Sequence, residues 1–123
     1  MNKRILLIDD DEQIVDVLSV VLRFEGYIVD AFHCVREALF IASTQKYDLI
    51  VSDIMMPEFT GYDLISAVRE PRHVNMETPA LAITALDGTT KHRLISAGFQ
   101  GYLGKPFDMC DLKSNVLKLI SAG

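Results

Sequence analysis

Hydrophobic positions along this chain follow two alternating patterns. Short runs of apolar residues recur at five places, and an amphipathic stretch with helical spacing follows each of them. The runs are Ile5–Ile8, Tyr27–Val29, Leu49–Val51, Ala80–Ile83 and a weaker Tyr102–Leu103. Most of these runs are continuous, which is typical of parallel strands covered by helices on both faces. The pattern predicts an α/β domain in which each of five strands is followed by a helix.

The amphipathic stretches differ in how well they follow the helical repeat. Stretches with apolar residues three and four positions apart begin at Ile14, Val35, Gly61 and Met109. The first includes Val17 in its apolar stripe, and Gly26 is placed to end that helix. The segment Asp87–Ala97 has the poorest stripe, with only Leu94, Ile95 and Ala97. We therefore expect the fourth helix to be the least firmly anchored.

Length and composition limit the class of protein. A chain of 123 residues, 50% hydrophobic and 24% charged, is expected to form one globular domain over residues 1–123. Its net charge of −5 argues against direct nucleic-acid binding, which needs clustered basic residues. The first apolar run is broken by acids after four residues, too soon for a signal peptide or a membrane span. We expect a cytoplasmic protein that does not contact membranes.

The cysteines and histidines show no metal-binding spacing. Cys34 and Cys110 form no C-x-x-C pair, and we expect two reduced thiols in or near helices rather than a disulfide. His33, His73 and His92 are scattered along the chain. We expect all three on the surface without partners.

Charged and hydroxyl side chains follow four of the predicted strands. They are Asp9–Asp11 after the first, Asp53 after the third, Thr84 after the fourth and Lys105 after the fifth. In open parallel sheets ligands bind outside the carboxyl ends of the strands, so these groups are expected at one site. Carboxylates about 4 Å apart repel by roughly 4 kcal/mol per pair at an effective dielectric constant of 20. A hard cation such as Mg²⁺, which prefers oxygen ligands and phosphate, would remove that cost.

Four motifs in chain order make the sequence similar to a known family. They are LLIDDDE, DLIVSDIMMPEFTG, AITA and GYLGKPF, and the most specific feature is Asp53 followed by Pro57 and Gly61. Over essentially its full length the chain resembles the receiver domain of two-component response regulators, and it is similar to chemotaxis-type single-domain members. The resemblance implies a doubly wound, flavodoxin-like fold of three α/β/α layers, with five parallel strands in the order 2-1-3-4-5.

The resemblance also implies a role for the acidic residues. Asp53 would accept a phosphoryl group. Mg²⁺ or Mn²⁺ would be bound directly by Asp10, Asp53 and the backbone carbonyl of Met55, and by Asp9 through water. A simpler interpretation of this acidic run is helix capping, but one acid suffices for a cap, and Asp11 is the natural candidate.

The remaining site residues are Thr84, Lys105 and Tyr102. By the same resemblance, Thr84 and Lys105 would bind the phosphoryl oxygens, and the bond between Lys105 and Pro106 would be cis. Tyr102 would move between an outward and an inward position as the site is phosphorylated. Each residue also has a purely structural interpretation. Thr84 would be an ordinary strand threonine, Lys105 a solvated surface lysine and Tyr102 a half-buried strand aromatic.

The expected function is that of a signalling switch. A sensor histidine kinase or a histidine phosphotransfer protein would donate the phosphoryl group. The domain would catalyse its own modification and its slow reversal, without being a turnover enzyme. The face formed by the fourth helix, fifth strand and fifth helix would then contact a downstream protein, and a phosphorylation-dependent dimer is compatible with this scheme.

Three features depart from the commoner pattern of the family. Gly104 precedes Lys105, where a side chain is more usual. Met55 and Leu86, two positions beyond Asp53 and Thr84, are both apolar. Neither can orient an attacking water, so we expect slow loss of the phosphoryl group.

Three other classes of protein share part of this pattern. Haloacid-dehalogenase-type phosphatases also form an aspartyl phosphate and carry a D-x-D motif, which Asp9 and Asp11 mimic, but this chain is short for that class. A flavodoxin-like binder would need a Ser/Thr/Gly-rich loop after the first strand, which is missing. A receiver-like adaptor that never accepts phosphate normally lacks one of the acids or the lysine, and all are present here.

Overall fold

Strands and helices alternate as the hydrophobic pattern predicts. The computed structural model describes residues 2–85 and 88–122, which contain five strands and five helices. The strands are β1 (Arg4–Ile8), β2 (Ile28–Phe32), β3 (Leu49–Asp53), β4 (Ala80–Thr84) and β5 (Gly101–Gly104). The helices are α1 (Glu12–Phe24), α2 (Val35–Ala42), α3 (Gly61–Val68), α4 (Gly88–Ala97) and α5 (Met109–Ala122). Among the described residues, none of these helices combines the length and hydropathy needed to span a bilayer.

The five strands form one parallel sheet in the order β2-β1-β3-β4-β5. This confirms the order 2-1-3-4-5. The chain passes from β1 outward to β2 and then returns to the other side of β1. The crevice at the carboxyl ends of β1 and β3 lies at this reversal, where doubly wound sheets bind their ligands.

Both faces of the sheet are covered, which explains the continuous apolar runs. In β1, Leu6 and Ile8 pack on one face in a cluster with residues of α2, α3 and α4. Ile5 and Leu7 pack on the other face with residues of α1 and α5. All four side chains are buried, and each such burial stabilises the fold by about 1.5–3 kcal/mol. The three-layer α/β/α prediction is confirmed.

Strand β2 lies further along the chain than predicted. Tyr27 belongs to the turn after α1, and the strand continues through Asp30, the acid that interrupts the apolar run. Asp30 Oδ2 accepts hydrogen bonds from Arg4 Nη1 at 2.9 Å and from the Tyr47 hydroxyl at 2.7 Å. These partners satisfy the carboxylate, so the strand does not end there.

Helix α1 presents a slightly different face to the core than predicted. Its buried apolar side chains are Val15, Leu18 and Leu22, whereas Val17 is 50% exposed. The apolar residues of this helix could form two overlapping stripes, one with Val15 and one with Val17. Packing against the sheet buries the stripe with Val15. The ends agree with prediction: Asp11 accepts hydrogen bonds at the N-terminus, and Gly26, with φ of 98°, follows the last turn.

Helix α4 has the weak apolar face that was predicted. Leu94 is buried against the sheet, whereas Ile95, expected beside it, is 59% exposed. Ala97 is partly buried. The helix begins at Gly88. Leu86, named above as the apolar residue two positions beyond Thr84, and Asp87, the predicted start of this helix, lie outside the described residues.

The histidines and cysteines mostly lie as expected. Cys34 and Cys110 are free thiols at or in helices, and His33 and His92 are exposed. The prediction for His73 is wrong. His73 is half-buried, its Nδ1 accepts a hydrogen bond from the Asn75 N–H at 2.9 Å, and burial lowers the pKa of its imidazole.

Candidate functional site

The strand register places the acidic residues side by side. Ile8 of β1 pairs with Ser52 of β3, so Asp9 and Asp53 follow at neighbouring positions. Carboxylate oxygens of Asp9, Asp10 and Asp53 lie within 4.8 Å of one another. Asp9 and Asp53 are only 2% and 6% exposed, whereas Asp10 is exposed. The cluster offers hard oxygen ligands of the kind that Mg²⁺ binds.

Thr84 and Lys105 lie at the same edge of the sheet, at the ends of β4 and β5. Thr84 of β4 pairs with Gly104 of β5, and the Lys105 N–H donates to the Thr84 carbonyl at 2.9 Å. Lys105 Nζ lies 3.1 Å from Asp9 Oδ2 and 3.3 Å from Asp53 Oδ2. The bond between Lys105 and Pro106 is cis, as the resemblance implied.

Asp11 and Asp9 make different contacts: Asp11 caps helix α1, and Asp9 faces Lys105. Asp11 Oδ1 accepts from the N–H groups of Gln13 and Ile14, and so caps α1. Asp9 Oδ1 accepts from the Asp11 N–H at 2.9 Å, which leaves its Oδ2 facing Lys105. Because Asp11 alone supplies the cap, Asp10 is not needed for it.

The backbone around Asp53 is held by close packing against the start of α3. Asp53 Oδ1 accepts from the Ile54 N–H at 2.7 Å, and the Gly61 N–H donates to the Ile54 carbonyl at 2.9 Å. A Cβ atom at Gly61 would lie 2.4 Å from the Asp53 carbonyl oxygen. Only glycine permits this approach. Sequence reasoning used Gly61 as part of a motif and missed this contact.

The site is more negative than its single lysine can balance. Burial and the neighbouring Asp9 raise the pKa of Asp53, while Lys105 and the Ile54 N–H oppose them. Burial alone would lower the pKa of Lys105. Its hydrogen bond to Asp9 and the charges of Asp53 and Asp9 outweigh burial, so the pKa of Lys105 is raised. Three carboxylates beside one ammonium group therefore favour binding of a further cation.

The other predicted residues lie on β4 and β5 and directly after β3. Thr84 is buried, and Tyr102 is half-buried against the core cluster on the α2–α4 face, with Lys91 Nζ 5.7 Å from its ring centroid. The Met55 side chain is 72% exposed, whereas Met56 is buried. The Met55 side chain therefore points to solvent and does not pack in the core.

An ion pair at the rim of the site was not foreseen. Arg36 Nη2 of α2 lies 3.1 Å from Glu58 Oε1 in the loop after β3, and both residues line a small cleft with Asp10. Glu58 has a positive φ of 69°. The two partners are 22 positions apart, and no local pattern pairs them.

Comparisons with known proteins agree with this geometry. The sequence matches the profile of the response regulator receiver domain over residues 5–117. It is 39% identical over 119 residues to the transcriptional regulatory protein PcoR of Escherichia coli, covering 96% of this chain and 51% of that protein. It is 35% identical over 121 residues to the regulatory protein PhoP of Bacillus subtilis, covering 98% of this chain and 49% of that one. The chain thus spans about half the length of these relatives.

A solved structure shares the fold almost over its whole length. The chemotaxis protein CheY4 of Vibrio cholerae superposes with a TM-score of 0.91 at 31% identity, covering 97% of this chain and 99% of that one. The profile match, the relatives and this superposition lead to one conclusion. The chain belongs to the response regulator receiver domain family of two-component systems.

Proposed function

We propose that Asp53 accepts a phosphoryl group from a phosphohistidine on a partner kinase or a histidine phosphotransfer protein. The observation that carries this proposal is the position of Lys105 Nζ, 3.1 Å from Asp9 and 3.3 Å from Asp53 in a site of clustered carboxylates. From this position the ammonium group can contact phosphoryl oxygens on Asp53 as well as the two carboxylates. A lysine that binds phosphoryl oxygens needs this position.

The transfer itself requires only an oriented carboxylate and stabilisation of charge. A carboxylate oxygen of Asp53 attacks phosphorus, the phosphorus–nitrogen bond breaks, and its electron pair remains on the imidazole of the donor. The Ile54 N–H orients the carboxylate through Oδ1. The ammonium group of Lys105 and the hydroxyl of Thr84 would stabilise the charge on the phosphoryl oxygens.

Asp9, Asp10, Asp53 and the Met55 carbonyl would hold a Mg²⁺ or Mn²⁺ ion. These donors are all oxygen atoms, and the three carboxylates lie within reach of one ion, so the residues present fit such a metal. When bound, the ion would supply positive charge that offsets both the carboxylates and the incoming phosphoryl group.

A groove next to Lys105 offers the donor protein a place to bind. It has a volume of about 560 Å³ and lies between α1 and the start of α5. Its apolar lining includes Ile14, Val17, Pro106, Phe107 and Met109. A donor seated here would bring its histidine to the edge of the sheet and would cover Val17.

Phosphorylation would act on the rest of the domain through Thr84 and Tyr102. The new group adds a charge of about −1.5 to −2, which would draw the Thr84 hydroxyl toward it and open space for Tyr102. Helix α4, anchored by Leu94, would shift in response. The α4-β5-α5 face would then bind a downstream protein or a second copy, as one of two packings gains population.

The decisive experiment is the intact mass of the protein after incubation with acetyl phosphate and Mg²⁺. We expect a gain of one phosphoryl group that requires the metal and is absent in Asp53→Asn. An undiminished gain in Asp53→Asn would refute the assignment. Catalytic release of phosphate from small esters would instead identify a phosphatase, and no gain under any condition would identify a non-phosphorylated adaptor.

A further inference from the structure

A second charged groove lies between α3 and α4, away from the acidic edge. It has a volume of about 490 Å³ and is lined by Tyr62, Ser66, Arg69, Arg93, Ser96 and Ala97. Two guanidinium groups and three hydroxyl groups thus share one shallow depression, and none of the lining residues is acidic. The phosphorylation chemistry proposed above uses none of these side chains.

Arg93 is held in place, and none of the described residues gives it an anionic partner. Its guanidinium carbon lies 4.2 Å from the centroid of the Tyr62 ring, a cation–π contact that orders the side chain. Within residues 2–85 and 88–122, Arg93 forms no ion pair and its N–H groups donate no hydrogen bond. A stacked guanidinium with free donors is pre-organised to bind a carboxylate through two parallel hydrogen bonds.

Arg69 adds positive charge from the floor of the groove. Its guanidinium donates to the carbonyls of Gly98, Asn75 and Met76 and to the side-chain oxygen of Gln100. All of these acceptors are neutral, so the contacts fix the group without cancelling its charge. Burial lowers the pKa of Arg69, and no carboxylate opposes that effect. Because arginine stays protonated in proteins, the positive charge persists.

The groove is a basic region on an acidic protein. The chain carries a net charge of −5, yet the helix α4 sequence GTTKHRLISA contains Lys91, His92 and Arg93 and no acid. A local patch of opposite sign attracts negatively charged partners and sets their orientation. The overall negative charge makes nucleic acid an unsuitable partner for so small a patch.

We propose that the α3–α4 groove docks an acidic segment of a partner protein. Arg93 binds a glutamate or aspartate carboxylate, the hydroxyls of Ser66 and Ser96 donate to it, and Arg69 supplies positive potential. The shallow and open shape favours a protein segment, because small-molecule sites enclose most of the surface of their ligand. Polar rims and arginine are characteristic of protein interfaces.

The test is binding of a fluorescein-labelled oligoglutamate peptide, followed by fluorescence anisotropy at low salt. Arg93→Gln should weaken binding about fivefold, the factor expected for an exposed ion pair at its stronger limit. Lys118→Gln, which removes one exposed charge from α5, should leave the affinity within about twofold. Ser66→Asp places a carboxylate beside Arg93 that would compete with the peptide, so it should abolish the part of the binding that depends on Arg93.

Equal losses in Arg93→Gln and Lys118→Gln would reduce the effect to general charge attraction and overturn the proposal. So would the absence of peptide binding, or saturable binding of inorganic phosphate without any binding of the peptide. Amide chemical shifts should change around Tyr62 and Arg93 when the peptide binds. Asp53→Asn should bind the peptide normally, so this proposal and the proposed phosphorylation can fail separately.

Discussion

At the scale of single residues, Asp53 lies where an ionised carboxylate lowers the stability of the folded state. Burial and Asp9 raise its pKa, and the Ile54 N–H and Lys105 recover only part of that cost. The same arrangement gives the carboxylate a fixed orientation and a neighbouring ammonium group. The proposed phosphorylation site is therefore also a position that lowers the stability of the fold, as is common at functional sites.

Replacing Asp53 by Asn should raise the melting temperature of the metal-free protein near neutral pH. The folded state binds the Asp53 proton more tightly than the unfolded state, whose pKa is near the ordinary value of 3.8. Stability of the natural protein therefore falls as pH rises through the interval above 3.8. The advantage of Asp53→Asn should shrink as pH falls through that interval and vanish below it. Thermal unfolding in EDTA across this range tests the prediction, and a less stable variant near neutral pH would contradict it.

Replacing Met55 by Asn should shorten the lifetime of the phosphorylated protein about tenfold, equivalent to about 1.4 kcal/mol of barrier. The exposed thioether at the rim cannot orient a water molecule toward the phosphoryl group, whereas an amide can. The lifetime is measured by intact mass after removal of acetyl phosphate. Glu70→Gln, a change at an exposed position beyond the carboxyl end of α3, serves as the control. An unchanged lifetime in Met55→Asn would exclude this role for position 55.

At the scale of secondary-structure elements, capped helices hold the short loops that carry the site. Asp11 caps α1 directly after the acidic run. Thr60 and Asp63 form a reciprocal capping box at the start of α3. These caps fix the starts of α1 and α3. Together with the contact between Gly61 and the Asp53 carbonyl, they fix the positions of the acidic residues at the ends of β1 and β3.

Gly61→Ala should impair both the stability and the phosphorylation of the domain. The added methyl group would meet the Asp53 carbonyl oxygen and Ile54, and such overpacking costs about 1–3 kcal/mol. Displacement of Asp53 should slow the gain of mass with acetyl phosphate. Gly26→Ala is a matched control, because its strain comes from a positive φ of 98° in open space. It should cost about 1–2 kcal/mol and leave the phosphorylation rate unchanged; equal rates in both variants would refute the argument.

At the scale of the whole molecule, one edge of the sheet concentrates negative charge that the fold must tolerate. The sheet order brings β1 beside β3, and the register sets Asp9 next to Asp53. The layers of helices on both faces keep these two carboxylates out of water. A bound cation would therefore stabilise the native domain as a whole.

Millimolar Mg²⁺ should raise the melting temperature of the protein. Free metal at about ten times its Kd stabilises the native state by about 1.4 kcal/mol, or roughly 5 °C for a domain of this size. Asp10→Asn should abolish the gain without lowering the stability of the metal-free protein, since it removes one of the repelling charges. Asp16→Asn, at an exposed acid of α1, should keep the full response. A response that survives in Asp10→Asn would show that the metal binds elsewhere.

Much of this protein was determined by its sequence alone. Continuous apolar runs predicted the strands, helical spacing predicted the helices, and the acids, threonine and lysine at the strand ends predicted a shared site. The predictions of strands and helices succeed because burial and helical periodicity leave a local trace in the chain. The motifs in order were sufficient to indicate the family.

Only the tertiary structure decided the contacts between distant segments. It selected Val15 over Val17 for the core, carried β2 through Asp30 by means of Arg4 and Tyr47, and set Gly61 against Asp53. It also placed Arg93 over Tyr62 beside Arg69. Local periodicity reports that a residue is buried or exposed, whereas its partner depends on strand register and helix packing. Those are set by the energy of the whole chain.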